Sequence, residues 1–311
     1  MLKLEGISSF VAIKEAGSMS AAARRLHVSK SVVSERLSDL EKSLGAALFH
    51  RTTRKLNLTE DGAAFLERAQ RIMQEVHEAA AELAERRGTL VGPMRLSAPV
   101  TFGRMHLGPA LCPFLAQHPG ISLTLELDDK RVDAAAEGFD AVVRHGVVED
   151  SRLVAWPLAP SQRYVVASKA YLRQHGTPRA LNQLAAHKAI YYSNRGVTDW
   201  AFLDAKGQDF VRPKAVLRAN NGDIMKQACL AGLGLALLPS FIAGPEIAAG
   251  SLQVVDVGRK VPPELIYMAH PDGRKVSAKL RALAEHLKAA FGQPPYWEAA
   301  ANTARPKAKA K

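Results

Sequence analysis

Along the first sixty residues the apolar positions fall into helical registers broken by one tight turn. Ile7, Phe10, Val11 and Ile13 recur at helical spacing and stop at Gly17, which predicts a first helix. Ser18 is placed to cap a short second helix, where Ala21, Ala22 and Ala23 let a neighbour approach closely and Leu26 faces the core. His27 and Val28 make the turn. Ser29 caps a third helix with the buried stripe Val33, Leu37, Leu40 and Leu44. Gly45 and a β-type segment, LFHRTTRKLNLT, follow. Thr59 to Arg87 then contains no proline and ends at Gly88, as a long helix should. Its stripe is Leu66, Ala69, Met73, Val76, Ala80 and Leu83, a seven-residue repeat over nearly three heptads. Such a stripe either docks on its own domain or pairs with a second copy, and a helix between two domains favours pairing.

Past residues 89–93 the periodicity changes. Strand-like segments stand at MRLSAP, ISLTLEL, DAVVRHG, RYVVAS, AIYYS, AVLRAN, LGLALLP and LQVVDV, and helical patterns at 103–117, 221–231 and 276–291. This alternation predicts α/β structure with parallel sheets covered by helices, and its length suits two lobes.

Composition sharpens this picture in three ways. A chain of 311 residues, 47% hydrophobic and 23% charged, is globular with two or three domains. Without an 18-residue apolar run or a signal-like N-terminus, the expectation is a cytoplasmic protein with no membrane contact. Cys112 and Cys229 are the only cysteines, so a disulfide framework, zinc cluster or CxxC motif is unsupported. Most informative is where the net charge of +12 sits. Residues 1–58 hold ten Lys/Arg against five Asp/Glu, 59–92 hold four against seven, and 293–311 hold four against one. A basic head before an acidic helix localises polyanion contact to the head. The 293–311 segment reads as a disordered basic tail.

Two helices, a turn and a basic hairpin make a winged helix-turn-helix, which sets one helix into the DNA major groove. Lys30, Ser31, Ser34 and Glu35 lie opposite the third helix's buried stripe, where base edges are met. Ser18, Ser20 and Ser29 are candidates for the DNA backbone. In the wing Arg51, Thr52, Thr53, Arg54 and Lys55 suit phosphate oxygens and a narrow minor groove. Each group taken alone also fits a solvated face; the caps, turn and wing together favour DNA.

These residues carry a resemblance. From Phe10 to Gly62 the chain resembles the LysR-type transcriptional regulators, at Gly17-Ser18, Ala21-Ala22, Leu26, Ser29, Ser34, Leu40-Glu41, Leu44-Gly45, Leu48-Phe49, Arg51 and Leu58-Thr59. Glu35 departs from the basic or neutral residue common there. It can accept from cytosine N4, or turn toward Arg36 or Lys42. The second half resembles the family's effector domain at GPMRLSAP, RVDAAAEGFDAVVRHG, RYVVASKAYLRQHGTP and AGLGLALLP. The resemblance implies a winged head at 1–58, a dimerisation helix at 59–88, and a two-lobed domain at 92–292, like a periplasmic binding protein. Lobe I takes 92–163 and 267–292, lobe II 164–266, with crossing segments near 163–166 and 265–268. The implied partners are an inverted-repeat operator in double-stranded DNA, a small effector, for which the helix start after Ser97–Thr101 favours an anion, and a second copy in a homodimer or dimer of dimers. RNA polymerase is a further candidate.

Candidates for the effector are polar residues at strand ends: Ser97, Pro99, Val100 and Thr101; Arg144 and His145; Tyr192, Ser193 and Asn194; Asn220, Asn221 and Gly222. They equally suit caps and turns, and Arg144 has a local acid in Asp140. No GxSxG, SxxK, HExxH or phosphate-loop pattern stands in the chain, so no catalytic residue, metal or cofactor is expected. Gly232-x-Gly234 precedes an apolar strand, so it is not a dinucleotide fingerprint. The alternatives are an enzyme or solute-binding protein with an accessory DNA-binding head, or a non-specific chromosome-binding protein.

Overall fold

The computed structural model describes residues 1–50, 56–85, 87, 89–147, 152–195, 200–204, 207–271 and 276–298. The chain divides into two compact units, Met1–Gly92 and Pro93–Lys311. In the first, α1 (Leu4–Ala16), α2 (Met19–Arg25) and α3 (Lys30–Leu44) pack together and α4 (Glu60–Glu85) follows. Ser18 Oγ accepts from Ala21 N at 3.2 Å and Ser29 Oγ from Val32 N at 3.3 Å, so both predicted caps form, each contributing about 1 kcal/mol. His27 makes the turn in left-handed backbone, φ 53°, a region where few non-glycine residues sit.

Fully buried Phe10 centres this unit, in tilted ring contact with Phe49 at 5.4 Å and Phe65 at 5.6 Å. It thus ties α1 to both the wing base and α4. Glu41 Oε1 accepts from Leu48 N at 2.8 Å, and Phe49 pairs antiparallel with Leu58. Those contacts form the base of a hairpin whose remainder, residues 51–55, lies outside the described residues. Thr59 Oγ1 accepts from Gly62 N at 2.9 Å and so caps α4.

The α4 stripe divides between two uses. Ala69 is fully buried, and Leu66 and Met73 pack half-buried on the same core. This corrects the expectation that the whole stripe faces a second copy, because its first half covers the helix's own domain. Val76, Ala80 and Leu83 remain exposed, with Ile72 beside them.

The second unit holds β1 (Gly92–Ala98), α5 (Val100–Phe102), α6 (Gly108–Gln117), β2 (Ile121–Leu127), β3 (Ala141–Gly146), β4 (Leu153–Ser161), β5 (Arg163–Ser168), α7 (Lys169–His175), β6 (Lys188–Tyr192), β7 (Trp200–Asp204), β8 (Gly207–Val211), β9 (Lys214–Ala219), α8 (Gly222–Leu230), β10 (Leu235–Pro239), α9 (Ser240–Ala248), β11 (Leu252–Val254), β12 (Glu264–Pro271) and α10 (Ala278–Phe291). A π-helical turn, Gly103–Leu107, joins α5 to α6, where Pro109 has no N–H to continue an α ladder. One sheet has the order β2-β1-β3-β12-β4 and the other β11-β5-β10-β6-β9.

Both sheets are mixed. β1–β3, β10–β6 and β6–β9 are parallel, whereas β12 runs antiparallel to β3 and β4, and β5 antiparallel to β10 and β11. The predicted parallel sheets are thus refined: strands that carry the chain between lobes lie antiparallel to their neighbours. β4 escapes the sequence pattern because it contains Pro157 and Pro160, which an edge strand tolerates. The chain passes between the sheets at Gln162, and again between Val254 and Glu264, both ahead of the expected segments.

The C-terminal segment also differs from expectation. Trp297 and Glu298 are buried: Trp297 packs against Phe102, His106 and Phe291, and Glu298 accepts from Gln162 N at 3.0 Å. Residues 293–298 are therefore ordered by an aromatic cluster and a buried carboxylate. Residues 299–311 of the expected tail lie outside the described residues.

One glycine tests the packing of the first unit. A Cβ at Gly62 would stand 2.1 Å from the Leu48 carbonyl oxygen, backbone that cannot yield cheaply. Gly62→Ala should destabilise the head by roughly 1–3 kcal/mol in urea denaturation. Wild-type stability in that variant contradicts the close approach of α4 to the wing base.

Candidate nucleic-acid interface and interlobe site

On the first unit, the caps that start α2 and α3 also set what those helices present. Ser20, Ser29, Lys30, Ser31, Ser34 and Glu35 are all exposed, while Val33, Leu37 and Leu40 are buried and Leu44 half-buried. Ser18 is half-buried as a cap. Ser29 and Ser31 join hydroxyls at 2.7 Å, which holds the first turn of α3 in a fixed polar arrangement. Among the described residues Glu35 makes no ion pair, so it does not turn to Arg36 or Lys42 and its carboxylate stays available. The candidates Arg51, Thr52, Thr53, Arg54 and Lys55 lie outside the described residues.

In the second unit the candidates separate by the faces of their strands. Arg144 and His145 are neighbours on β3 and so point to opposite sides. His145 Nε2 pairs with Glu264 Oε2 at 3.1 Å, and Glu264 also pairs with Arg163 at 3.0 Å. That places His145 in a buried charge cluster beside the crossing strands, not with Arg144. The expectation that the two act together is corrected by strand alternation.

Arg144 turns toward the ends of β1 and β2. Its guanidinium donates to Val143 O at 2.8 Å, Ser97 Oγ at 2.9 Å and Lys130 O at 3.3 Å. All three acceptors are neutral. Among the described residues no carboxylate lies within ion-pair distance, Asp140 included; Asp140 instead accepts from Arg95 N at 2.7 Å. Burial pulls the Arg144 pKa below the usual guanidinium value, opposed by Tyr267, Asp128, Tyr192 and Asp129 nearby. An arginine nevertheless stays charged. Tyr192 acts on it from the other lobe, at the end of β6.

Several remaining candidates serve the lobe contact itself. Thr101, buried, donates to Asp223 Oδ2 at 3.2 Å, and Arg104 reaches Asp223 Oδ1 at 2.9 Å. Asn221 Oδ1 caps α8 by accepting from Asp223 N and Ile224 N, and Asn221 Nδ2 donates to Asp129 at 3.1 Å. Val100 N donates to Asp129 Oδ1 at 3.0 Å, and Asn194 Nδ2 to Asp129 O at 2.7 Å. Gly222 is buried where a Cβ would lie 2.5 Å from Ile242 Cδ1, so it serves packing. Pro99 precedes α5, and Ser193 and Asn220 are exposed. Asp129, Asp223 and Arg104 were missed by sequence reasoning. Their partners in the opposite lobe lie 65 to 122 positions away, and only the doublet Asp128-Asp129 after a strand hinted at a polar turn.

Among the described residues no cluster of His, Cys, Asp and Glu could hold a metal, and no helix is long and apolar enough to cross a membrane.

A winged helix-turn-helix head joined to a two-lobed α/β domain defines a ligand-responsive DNA-binding regulator. Residues 4–63 match the model for bacterial regulatory helix-turn-helix proteins of the lysR family, and residues 87–292 match the LysR substrate binding domain. The chain belongs to the LysR family of transcriptional regulators. It is 36% identical over 250 residues to the regulator CrgA of Neisseria meningitidis, covering 80% of this chain and 83% of that one. With PtxR of Pseudomonas aeruginosa it shares 33% over 298 residues, 95% of each chain. The solved structure of CrgA superposes with a TM-score of 0.59 at 31% identity, over 93% of this chain and 99% of that one. Proteins of this family bind DNA through the head, take small-molecule effectors in the substrate-binding domain, and form oligomers.

The two thiols should behave differently. Burial pushes the Cys229 thiol up to about 12, and its Sγ faces Val166 O at 3.4 Å, whereas Cys112 is exposed. A thiol held protonated is a poor nucleophile. Iodoacetamide should label Cys112 in the native protein and Cys229 only after denaturation. Rapid native labelling of both contradicts the burial.

Proposed function

We propose that this regulator works in the cytoplasm as a homodimer, assembled further into a dimer of dimers. Its α3 helices read an inverted-repeat operator, and it responds to a small carboxylate anion held between the lobes at Arg144. The exposed half of the α4 stripe, with Ile72, Val76 and Leu83, supplies an apolar seam for pairing. Two copies present two reading helices, hence an inverted repeat. RNA polymerase at the promoter is the third partner in this reading, and no catalytic step belongs to it.

The observation that carries the effector class is the environment of Arg144. A largely buried cation costs free energy unless a counter-charge offsets it. Here three neutral oxygens take three of its five N–H groups and leave its charge uncompensated at ion-pair range. A bound carboxylate supplies both the charge and a bidentate geometry suited to a guanidinium.

Footprinting on the DNA upstream of the gene, with competitor DNA present, tests the operator. One discrete protected inverted repeat is expected; uniform coverage favours a non-specific chromosome-binding protein. Lys30→Ala should weaken operator binding by ~1–3 kcal/mol if Lys30 reads a base. Unchanged affinity removes Lys30 from the reading face. For the effector, a panel of small mono- and dicarboxylates is screened by thermal shift. At least one should raise the melting temperature of the wild type and leave Arg144→Met unmoved, while that variant keeps its operator affinity. Equal shifts in both proteins would falsify the role of Arg144.

A further inference from the structure

Asp129, one of the charges that act on Arg144, connects three segments that span both lobes. It stands in the turn after β2, in the lobe built on β1, β2, β3, β12 and β4. Oδ1 accepts from Val100 N in the same lobe, at 3.0 Å. Oδ2 accepts from Asn221 Nδ2 at 3.1 Å, and the main-chain oxygen from Asn194 Nδ2 at 2.7 Å, both from the other lobe. The Asn221 amide has only one orientation open to it. Its oxygen is committed to Asp223 N and Ile224 N at the start of α8, so its N–H₂ must face Asp129.

We propose that Asp129 is a latch that holds the two lobes together when no effector is bound, and that an anion at Arg144 works against it. The inference rests on the reading of Arg144 as the effector's anchor. The coupling runs through one short turn. Arg144 reaches Lys130 O at 3.3 Å, the longest of its three hydrogen bonds. Asp128 Oδ1 accepts from Lys130 N at 2.8 Å and Asp128 N donates to Ala98 O at 2.9 Å, so residues 128–130 move as a unit on the end of β1. A ligand carboxylate competes with Lys130 O for the guanidinium and adds a like charge beside the Asp129 carboxylate. Both effects push the turn away from Asn221 and Asn194. Another tie between lobes, Thr101 and Arg104 on Asp223, contains no group that contacts Arg144, so it resists opening without sensing the ligand.

The test uses the full-length protein and no effector. Cysteine-directed spin labels at Ser122→Cys in one lobe and Lys214→Cys in the other, in a Cys112→Ser background diluted with unlabelled protein, report the interlobe distance by double electron–electron resonance. Wild type should give one distance, and Asp129→Ala should add a second, longer population. Amide exchange at residues 98–104 and 221–226 should accelerate on the order of tenfold, the loss of about one charged hydrogen bond. Asp129→Asn keeps an acceptor for Val100 N but sets an amide N–H₂ against Asn221 Nδ2, so it should fall between the two. It remains informative if the alanine variant folds poorly. Wild-type distances and exchange rates in Asp129→Asn overturn the latch. A failed carboxylate screen leaves these measurements standing, and unchanged distances leave the screen standing, so the two ideas fail separately.

Discussion

The lobes of the second unit are joined by two passes of backbone, and one of them is a single residue long. Gln162 is all that separates β4 from β5, and the return runs from Val254 to Glu264. So short a covalent link permits rotation but no large displacement. The relation between lobes is then set by side chains that meet across the gap: Asp129 with Asn221 and Asn194, Asp223 with Thr101 and Arg104, His106 with Phe241 O. Most are polar pairs of modest net strength. A few ångström-scale rearrangements at a strand end are therefore enough to shift the balance between arrangements.

The head follows different physics. Its elements are short, so their ends matter more than their middles: Ser18, Ser29 and Thr59 each satisfy a free backbone N–H at a helix start. Phe10 and Glu41 then lock the wing base and α4 to that trihelical core. The exposed face of α3, proposed to read DNA, is thereby held by that packing. On that face Glu35 is an exposed carboxylate, which in the proposed complex would attract cytosine amino groups and repel phosphates.

Much of the head was legible in the sequence because its signals are local. Caps three residues from their N–H partners, an apolar stripe and a glycine stop can all be read within one window. The second unit was legible as alternation but not as topology. β4 hid behind Pro157 and Pro160, and the β7–β8 hairpin behind its short strands. Arg144 could be picked out from its strand end, and strand alternation could have separated it from His145 beforehand. Asp129 could not be found, since its importance comes from residues far away in the chain. The α4 stripe shows the same limit: periodicity marks an apolar face without saying which neighbour covers it, and Ala69 turns out to be covered by its own domain.

The carboxylate of Glu298 has a practical corollary for where this effector domain ends. It is buried against Gln162 N, Tyr164 OH and Ser240 Oγ, while Trp297 closes over Phe102 and Phe291. The family match stops at residue 292, just past α10. An excised domain cut at that point would bare an aromatic surface and strip the single-residue crossing of the acceptor that fixes it. Solubility and interlobe motion would both change for reasons unrelated to any ligand. A cut that keeps this cluster falls no earlier than Glu298.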